Sequence, residues 1–238
     1  MELIINIFDK VLYLPLLNAL VWIYNIIPYH DLGIAIILLT VLIRLAFYPL
    51  SKKAIQSQKA MAKLQPKIKE IQKKFKDKEE QAKQMMLLYQ EHKINPAAGC
   101  LPILIQLPVL IALYRVFFTG LNLENMNNLY SFVQKPETLN FMFLGVINIS
   151  QRSIILAFLA GFLQFIQSKM IMPQRGAQQK GGSLDFTSLM GQQMTYFMPI
   201  ITVFIALGLP AALPLYWIVI TIFGIIQQYF TKQQNYEK

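Results

Sequence analysis

Charged residues are scarce in this sequence. Asp, Glu, Lys and Arg together make up only 14% of its 238 residues, whereas 55% of the residues are hydrophobic. A soluble domain of this size carries roughly 25% charged residues. The deficit excludes an ordinary soluble globular protein and predicts a protein embedded in a membrane.

Residues that ligate metals or act as nucleophiles are also few. The chain has one cysteine, Cys100, and two histidines. A single cysteine excludes an internal disulfide, and so few Cys and His residues leave little from which to build a metal centre. The sequence also lacks a glycine-rich phosphate-binding loop and a nucleophile constellation. We therefore expect no enzymatic activity, no metal and no cofactor.

Long apolar segments dominate what is present. Five of them approach the ~20 residues needed to cross the hydrocarbon core of a bilayer: residues 34–50, 101–120, 154–172, 195–209 and 213–230. None of the five contains Asp or Glu. An earlier segment, 11–27, is interrupted by Pro15 and Asn18, which favours a helix lying in the membrane interface over a sixth crossing. The six-span alternative stays open.

The positive charge is concentrated in one segment. The formal net charge is +10, and residues 51–96 contain twelve lysines against five acids. The positive-inside rule places this segment in the cytoplasm, together with the C-terminal tail, and it places the N-terminus and residues 122–151 outside. A sixth span would change only the side of the membrane on which the N-terminus lies.

The lysine-rich segment also predicts a pair of helices. Four apolar residues recur at the 4-3-4 spacing of a helix that pairs with another helix: Leu64, Ile68, Ile71 and Phe75. After a break near Lys76, Asp77 and Glu80 form a D-x-x-E helix start. These patterns predict an antiparallel helical hairpin that projects from the membrane. Its tip lysines either form a solvated face or contact anionic lipid headgroups or a ribosome: Lys73, Lys74, Lys76 and Lys78.

Arg44 is the most informative single residue because a permanent cation inside an apolar span is costly. It lies six residues before Leu50, roughly 9 Å from the cytoplasmic end, so it could snorkel to the interface. Helical side chains lean towards the N-terminus, however, which here points deeper into the bilayer. Arg115, near the outer end of its span, is interpreted as a snorkelling residue.

Polar residues in several spans match Arg44. Singly, each is more typical of helix–helix contacts, but their coincidence with Arg44 predicts a water-filled cavity open to one side: Thr40, Gln106, Gln164, Trp217 and Thr221. The lack of acidic residues in the spans argues against a proton relay or an ion-coupled carrier. A small solute transporter or an anion channel, in which Arg44 would bind the solute, remains an alternative.

Six motifs resemble those of the YidC/Oxa/Alb membrane protein insertases, in particular the minimal five-span core of the bacterial members. They occur in family order over nearly the whole chain after about residue 10: IRLAFYPLSKK (43–53), LQPKIKEIQKKF (64–75), INPAAGCLPILIQLPVLIALY (94–114), MTYFMPII (194–201), LPAALPLYW (209–217) and IIQQ (225–228).

The resemblance implies an all-α, polytopic membrane protein with five transmembrane helices, a cytoplasmic antiparallel helical hairpin and an N-terminal interfacial helix. In the family, a hydrophilic groove open to the cytoplasm and to lipid receives nascent membrane proteins. Their transmembrane segments then leave sideways, here along the apolar faces of the third and fifth spans. By position, Arg44 corresponds to the groove arginine, and Tyr216 and Trp217 to the aromatic pair that contacts the substrate.

The expected partners follow from the same resemblance. They are nascent membrane proteins and anionic lipids, with the ribosome and the Sec translocon as further candidates. Neither a specific nucleic acid sequence nor a small-molecule substrate is expected. The predicted location is the bacterial plasma (inner) membrane, with the N-terminus outside and the C-terminus in the cytoplasm.

The predicted division of the chain combines the apolar segments, the charges and the resemblance. It consists of an extracytoplasmic interfacial helix (1–30), span 1 (31–50), the cytoplasmic hairpin (51–96), span 2 (97–120), an extracytoplasmic loop (121–152), span 3 (153–172), a cytoplasmic loop (173–193), span 4 (194–210), span 5 (211–231) and a cytoplasmic tail (232–238).

Overall fold

The chain is mainly helical in its computed structural model, which describes residues 2–95, 101–122, 126, 128–171 and 186–233. The helices in these ranges are α1 (Glu2–Phe8), α2 (Leu14–Ile26), α3 (Leu32–Ala46), α4 (Tyr48–Lys74), α5 (Lys78–Glu91), α6 (Leu101–Arg115), α7 (Ile154–Ile171), α8 (Phe186–Gly208) and α9 (Ala212–Gln233). Cys100, most of the predicted loop 173–193 and most of the predicted tail lie outside the described residues.

The packed body of the molecule consists of α3, α9, α7 and α8. Helix α9 packs on both α3 and α7, and α7 packs closely on α8. The α7–α8 contact is close because Gly161 lies directly against Val203. The apolar core extends from this body into α2 and α6, where Leu20 and Leu113 are fully buried.

The N-terminal helix runs across one end of this body. Helices α1 and α2 form one continuous stretch, Glu2–Ile26, joined by the π-helical turn Asp9–Tyr13. Its Asn25 amide donates a hydrogen bond to Gln134 O at 2.7 Å, and Asp9 contacts Arg115 at the end of α6. These two contacts are roughly 24 Å apart along the helix, yet both lie at the same end of the bundle. The interfacial interpretation of this helix remains a prediction, because Glu2–Ile26 is also long and apolar enough to cross a membrane.

A loop between α6 and α7 covers the same end, which we call the outer end. It contains a two-stranded antiparallel pair, β1 (Met142–Phe143) and β2 (Ile147–Asn148), that the all-α prediction did not include. Asp31, the N-cap of α3, accepts hydrogen bonds from Ile34 N at 3.0 Å and from Leu144 N at 2.7 Å. The loop is thereby fixed to the start of α3, where the Phe143 ring packs directly on Gly33.

At the opposite end, α3 and α4 meet at a bend of 68°. Phe47, between them, leaves the helical conformation with φ −88° and ψ 7°. Pro49 lies in the first turn of α4, where its missing N–H group and its fixed φ suit the start of a new helix. The bend turns α4 away from the direction of α3.

Helices α4 and α5 form a hairpin with its own small core. Leu64, Ile68 and Leu88 are buried there. The carboxylate of Asp77 accepts hydrogen bonds from the backbone N–H groups of Glu79 and Glu80, each at 3.4 Å, and caps the start of α5. Pro66 does not interrupt α4. The base of the hairpin packs against α9, where Lys59 Nζ donates to Gln228 O at 3.3 Å.

Helix lengths do not by themselves reproduce the predicted five spans. Among the described residues, Glu2–Ile26 and Ala212–Thr231 are long and apolar enough to cross a membrane, and the bent α3–α4 pair could supply a third crossing. Three further apolar helices are shorter: Gln106–Gly120, Ile154–Met170 and Tyr196–Gly208. Helix α8 also begins at Phe186, inside the predicted loop 173–193. The five-span count therefore remains a prediction.

Candidate functional site

A cleft opens between α3, α4, α6 and α9, at the end of the body where the hairpin begins. Its empty space, counted together with the solvent-open mouth, is about 480 Å³. It is lined by Thr40, Ile43, Arg44, Phe47, Leu50, Ser51, Ala54, Gln106, Val109, Tyr216 and Ile220. Four of these residues were predicted: Thr40, Arg44 and Gln106 as groove residues from their polarity, and Tyr216 from the resemblance.

Three polar side chains from three helices form a hydrogen-bonded chain in the cleft. Arg44 Nη2 donates to Gln106 Oε1 at 3.2 Å. Gln106 Nε2 in turn donates to the hydroxyl of Tyr216. The side-chain amide of Gln106 thus connects α3 to α9 through α6. We call these three residues the cleft triad.

Arg44 is positioned by the last turn of α3, where the helix dipole favours a cation. Within the residues that the structure describes, no carboxylate lies within ion-pair distance of its guanidinium. A guanidinium has five N–H donors, so the single bond to Gln106 leaves donor capacity facing the cleft. The site therefore offers an uncompensated positive charge to any acidic group that enters.

The hydroxyl groups of Thr40 and Ser51 offer few free hydrogen bonds to the cleft. The hydroxyl of Thr40 is buried and donates to Ile36 O at 2.6 Å. The hydroxyl of Ser51 donates to Phe47 O at 3.0 Å, at the bend between α3 and α4. Each hydroxyl proton is used within its own segment, so the cleft triad carries most of the hydrogen-bonding capacity of the cleft.

The other predicted groove residues do not line this cleft. Gln164 and Trp217 are half-buried and Thr221 is buried, but none of the three belongs to the lining. The neighbouring Gln167 lies directly over Gly224, between α7 and α9. This contact fits the alternative in which an isolated polar residue joins two helices.

Three of the seven cleft residues that were not predicted come from the first turns of α4. Leu50, Ser51 and Ala54 belong to this group. Their position depends on the bend at Phe47, which directs the start of α4 across the end of α3. The Tyr48-Pro49 pair was the available sequence signal, because proline favours the first turn of a new helix.

Arg115 has an acidic partner, which the interpretation as a snorkelling residue did not include. Its guanidinium forms an ion pair with the carboxylate of Asp9, and a second hydrogen bond joins Nη2 to Oδ2 at 3.4 Å. The guanidinium also lies over the ring of Tyr13, 4.6 Å from its centroid. Asp9 is 106 positions away in the sequence.

The hairpin lysines are far from the cleft. Lys73, Lys74, Lys76 and Lys78 are all exposed. Between Ser51, which lines the cleft, and Lys73, helix α4 extends over roughly 33 Å. The tip can therefore contact a large partner or a surface without blocking the cleft.

Helix α6 presents an apolar stripe beside the cleft. Five large side chains at alternating three- and four-residue spacing are exposed, four on α6 and the last in the π-helical turn that follows it: Leu104, Leu107, Ile111, Tyr114 and Phe118. The cleft residues Gln106 and Val109 lie on the same helix but on a different face. An exposed stripe of this size is typical of contact with lipid or with another apolar segment. Among the described residues, no group of three or more His, Cys, Asp or Glu side chains could hold a metal ion.

The chain is similar to proteins of one family. The sequence model of the family described as "60Kd inner membrane protein" matches residues 22–238. A Fusobacterium nucleatum protein described as membrane protein insertase YidC is 35% identical over 206 residues, which cover 86% of this chain and 88% of that protein. A Syntrophobacter fumaroxidans protein with the same description is 34% identical over 226 residues, 92% of this chain and 37% of that protein.

A solved structure agrees with these sequence matches. It is described as an active YidC insertase crystal structure with the first transmembrane domain resolved, and it matches with a TM-score of 0.59 at 28% identity. The match covers 94% of this chain and 46% of that one. The chain spans about a third of the length of several of the curated relatives that it matches.

Proposed function

Because the chain belongs to the 60Kd inner membrane protein family, that of the YidC insertases, and is an integral inner membrane protein, we propose that it inserts nascent membrane proteins into the bilayer. The single observation that carries this proposal is the cleft triad, in which a cation with no acidic partner among the described residues lines a cleft beside an apolar stripe. A polar entry next to an apolar exit is what insertion requires.

The cleft lowers the barrier for the polar part of a client. A charged residue costs roughly 2.5–3.5 kcal/mol at the centre of a membrane helix on insertion scales. A hydrated cleft that reaches Arg44 shortens the apolar path for such a residue. Arg44 attracts acidic groups in the client's extracytoplasmic tail while that tail crosses. The process needs no chemical step, because hydrophobic partitioning of the client's apolar segment drives it.

The apolar segment of the client leaves sideways into lipid. The exit predicted along the third and fifth spans corresponds to the exposed faces of α7 and α9, where Phe158 and Ile226 are examples. The stripe on α6 also borders the cleft, because α6 carries the lining residue Gln106. We therefore include α6 in the exit path.

The hairpin receives the client or its ribosome near the mouth of the cleft. Its exposed tip lysines suit phosphate groups, whether these belong to lipid headgroups or to ribosomal RNA. In this proposal the hairpin end of the body faces the cytoplasm, and the end covered by the N-terminal helix and the 121–152 loop faces outwards. The Sec translocon is a further candidate partner.

Reconstitution tests the proposal. The purified protein in liposomes should insert a short single-span client with an acidic tail, and protein-free liposomes should do so much more slowly. Comparison with an Arg44→Ala protein under the same conditions shows whether insertion depends on the cleft. Equal insertion with and without protein would contradict the proposal, and flux of small anions in place of insertion would favour a channel.

A further inference from the structure

Helix α6 carries both the triad residue Gln106 and the exposed apolar stripe, so its attachment to the rest of the bundle is important. In the described part of the chain, α6 packs more extensively on the π-helical turn Asp9–Tyr13 than on α2 or α4. The most extensive contacts of the body join α7 to α8, α7 to α9 and α3 to α9. The outer end of α6 is therefore held chiefly by the N-terminal helix.

The contact between these two helices is built around one ion pair. Arg115, the last residue of α6, pairs with Asp9, and each side chain retains partial exposure, 37% and 29% respectively. The guanidinium lies between two rings, 4.6 Å from the centroid of Tyr13 and 5.8 Å from that of Phe8. Aromatic faces and a carboxylate both stabilise a guanidinium, so Asp9, Phe8 and Tyr13 together stabilise the guanidinium of Arg115.

The backbones on both sides are adapted to this contact. Each helix has a π-helical turn beside the ion pair, Asp9–Tyr13 in the N-terminal helix and Val116–Gly120 after α6. Such turns are rare and frequently mark functional positions. Gly120 permits the close approach, because a Cβ there would lie 3.0 Å from both the Tyr13 hydroxyl and Leu17 Cδ1.

We propose that the Asp9–Arg115 pair is the outer pivot of α6. It holds the outer end of this helix on the N-terminal helix, so that movement of α6 during client release is confined to the inner end, where Gln106 contacts Arg44 and Tyr216. Asp9 and Arg115 are positioning residues that act on the cleft through α6. The role of the pivot in client release rests on the proposed insertase function. The structural test of the pivot does not depend on that function.

The structural test measures the distance between the two helices. Spin labels at Ile7 and Ile111, both exposed, report the position of α1 relative to α6 in the full chain in nanodiscs, with Cys100 replaced by Ser. Asp9→Asn should broaden the distance distribution, whereas Glu2→Gln, an exposed acid on the same helix, should not. In the charge-swapped protein, which combines Asp9→Lys with Arg115→Glu, the distance distribution should be narrower than in a protein with either substitution alone.

A second readout links the pivot to the cleft. A thiol at Ile43, which lines the cleft, should react with a water-soluble maleimide about two- to fivefold faster in Asp9→Asn than in Glu2→Gln, the range expected for loss of a partly exposed ion pair. Insertion should slow by a similar factor for clients with acidic and with neutral tails, because the pivot does not contact the client.

Two results would overturn the pivot. One is a distance distribution in Asp9→Asn that matches that of Glu2→Gln. The other is a charge swap that behaves no better than the single substitutions, which would assign the effect to local packing. Both results are independent of insertion. If the unsubstituted chain inserts no client, the proposed function fails while the distance measurement still decides the pivot.

Discussion

At the residue scale, the geometry of the cleft depends on the amide group of Gln106. Its oxygen accepts from Arg44 and its nitrogen donates to Tyr216. Tyr216 is only 1% exposed, so its hydroxyl depends on this donor. A buried polar group that loses its partner destabilises a protein by about 1–3 kcal/mol.

Gln106→Leu should therefore lower the free energy of unfolding by about 1–3 kcal/mol, since it leaves the Tyr216 hydroxyl buried without its donor. In a Tyr216→Phe background the same substitution should cost less, because the stranded hydroxyl is absent. Denaturation of the four proteins of this double-mutant cycle in detergent measures the coupling. If Gln106→Leu lowers the free energy of unfolding equally in the two backgrounds, Gln106 and Tyr216 are not energetically coupled.

The charge of Arg44 should matter more than its shape. Arg44→Lys should retain most of the insertion activity, whereas Arg44→Ala should lose it, mainly for clients with acidic extracytoplasmic tails. A client whose tail acids are replaced by Asn and Gln is the matched control and should be affected much less. If the Ala protein inserts acidic-tailed clients as well as the unsubstituted chain does, Arg44 is a snorkelling residue.

Sequence reasoning found Arg44 and Gln106 because polar residues are rare in apolar spans. It could not separate them from Gln164 or Thr221, since composition does not tell which face of one helix meets another. Tyr216 came only from the resemblance. The Asp9–Arg115 pair was missed because it joins two segments that no local pattern relates.

At the element scale, the hairpin combines a small apolar core with a charged tip. Leu64 and Ile68 lie on the predicted seam, and Leu88 completes the core from α5. The tip lysines make no contribution to that core. Their substitution should therefore leave the hairpin folded and change only what it binds.

Replacing Lys73, Lys74, Lys76 and Lys78 by Gln should weaken binding to ribosomes or to anionic liposomes. The interaction of the unsubstituted chain should itself weaken as salt rises, because phosphate contacts are screened. Co-sedimentation at two salt concentrations measures both effects. A protein with Lys63→Gln and Lys83→Gln, on the arms of the hairpin, is the control. Unchanged binding and unchanged insertion in the tip variant would leave these lysines as a solvated face.

The boundaries of the elements were harder to predict than their existence. Periodicity located both arms of the hairpin, and the Asp77 pattern located the start of α5. Apolar composition, however, marks where lipid begins and not where a helix begins, so the start of α8 at Phe186 was missed. The β1–β2 pair was also missed, because its two-residue strands are too short to produce an alternating pattern.

At the scale of the whole molecule, the two ends of the bundle differ. The outer end is covered by the N-terminal helix and by a loop whose backbone is bonded to the starts of α3 and α9, for example through Ala211 N to Gln151 O at 2.7 Å. The other end contains the cleft and the bend into the hairpin. The predicted family is confirmed, and this asymmetry suits a cleft that is entered from one side only.

The most direct test of the account is the accessibility of two adjacent residues. Ile43 lines the cleft, whereas Leu42 is exposed on another face of α3 at nearly the same depth. Each is changed to Cys in a chain with Cys100→Ser and treated with a membrane-impermeant maleimide from either side of the vesicle. We expect the Ile43 thiol to react several-fold faster than the Leu42 thiol, and only from the side of the hairpin. Equal rates, or reaction of the Ile43 thiol from the opposite side, would contradict a hydrated cleft open to the cytoplasm.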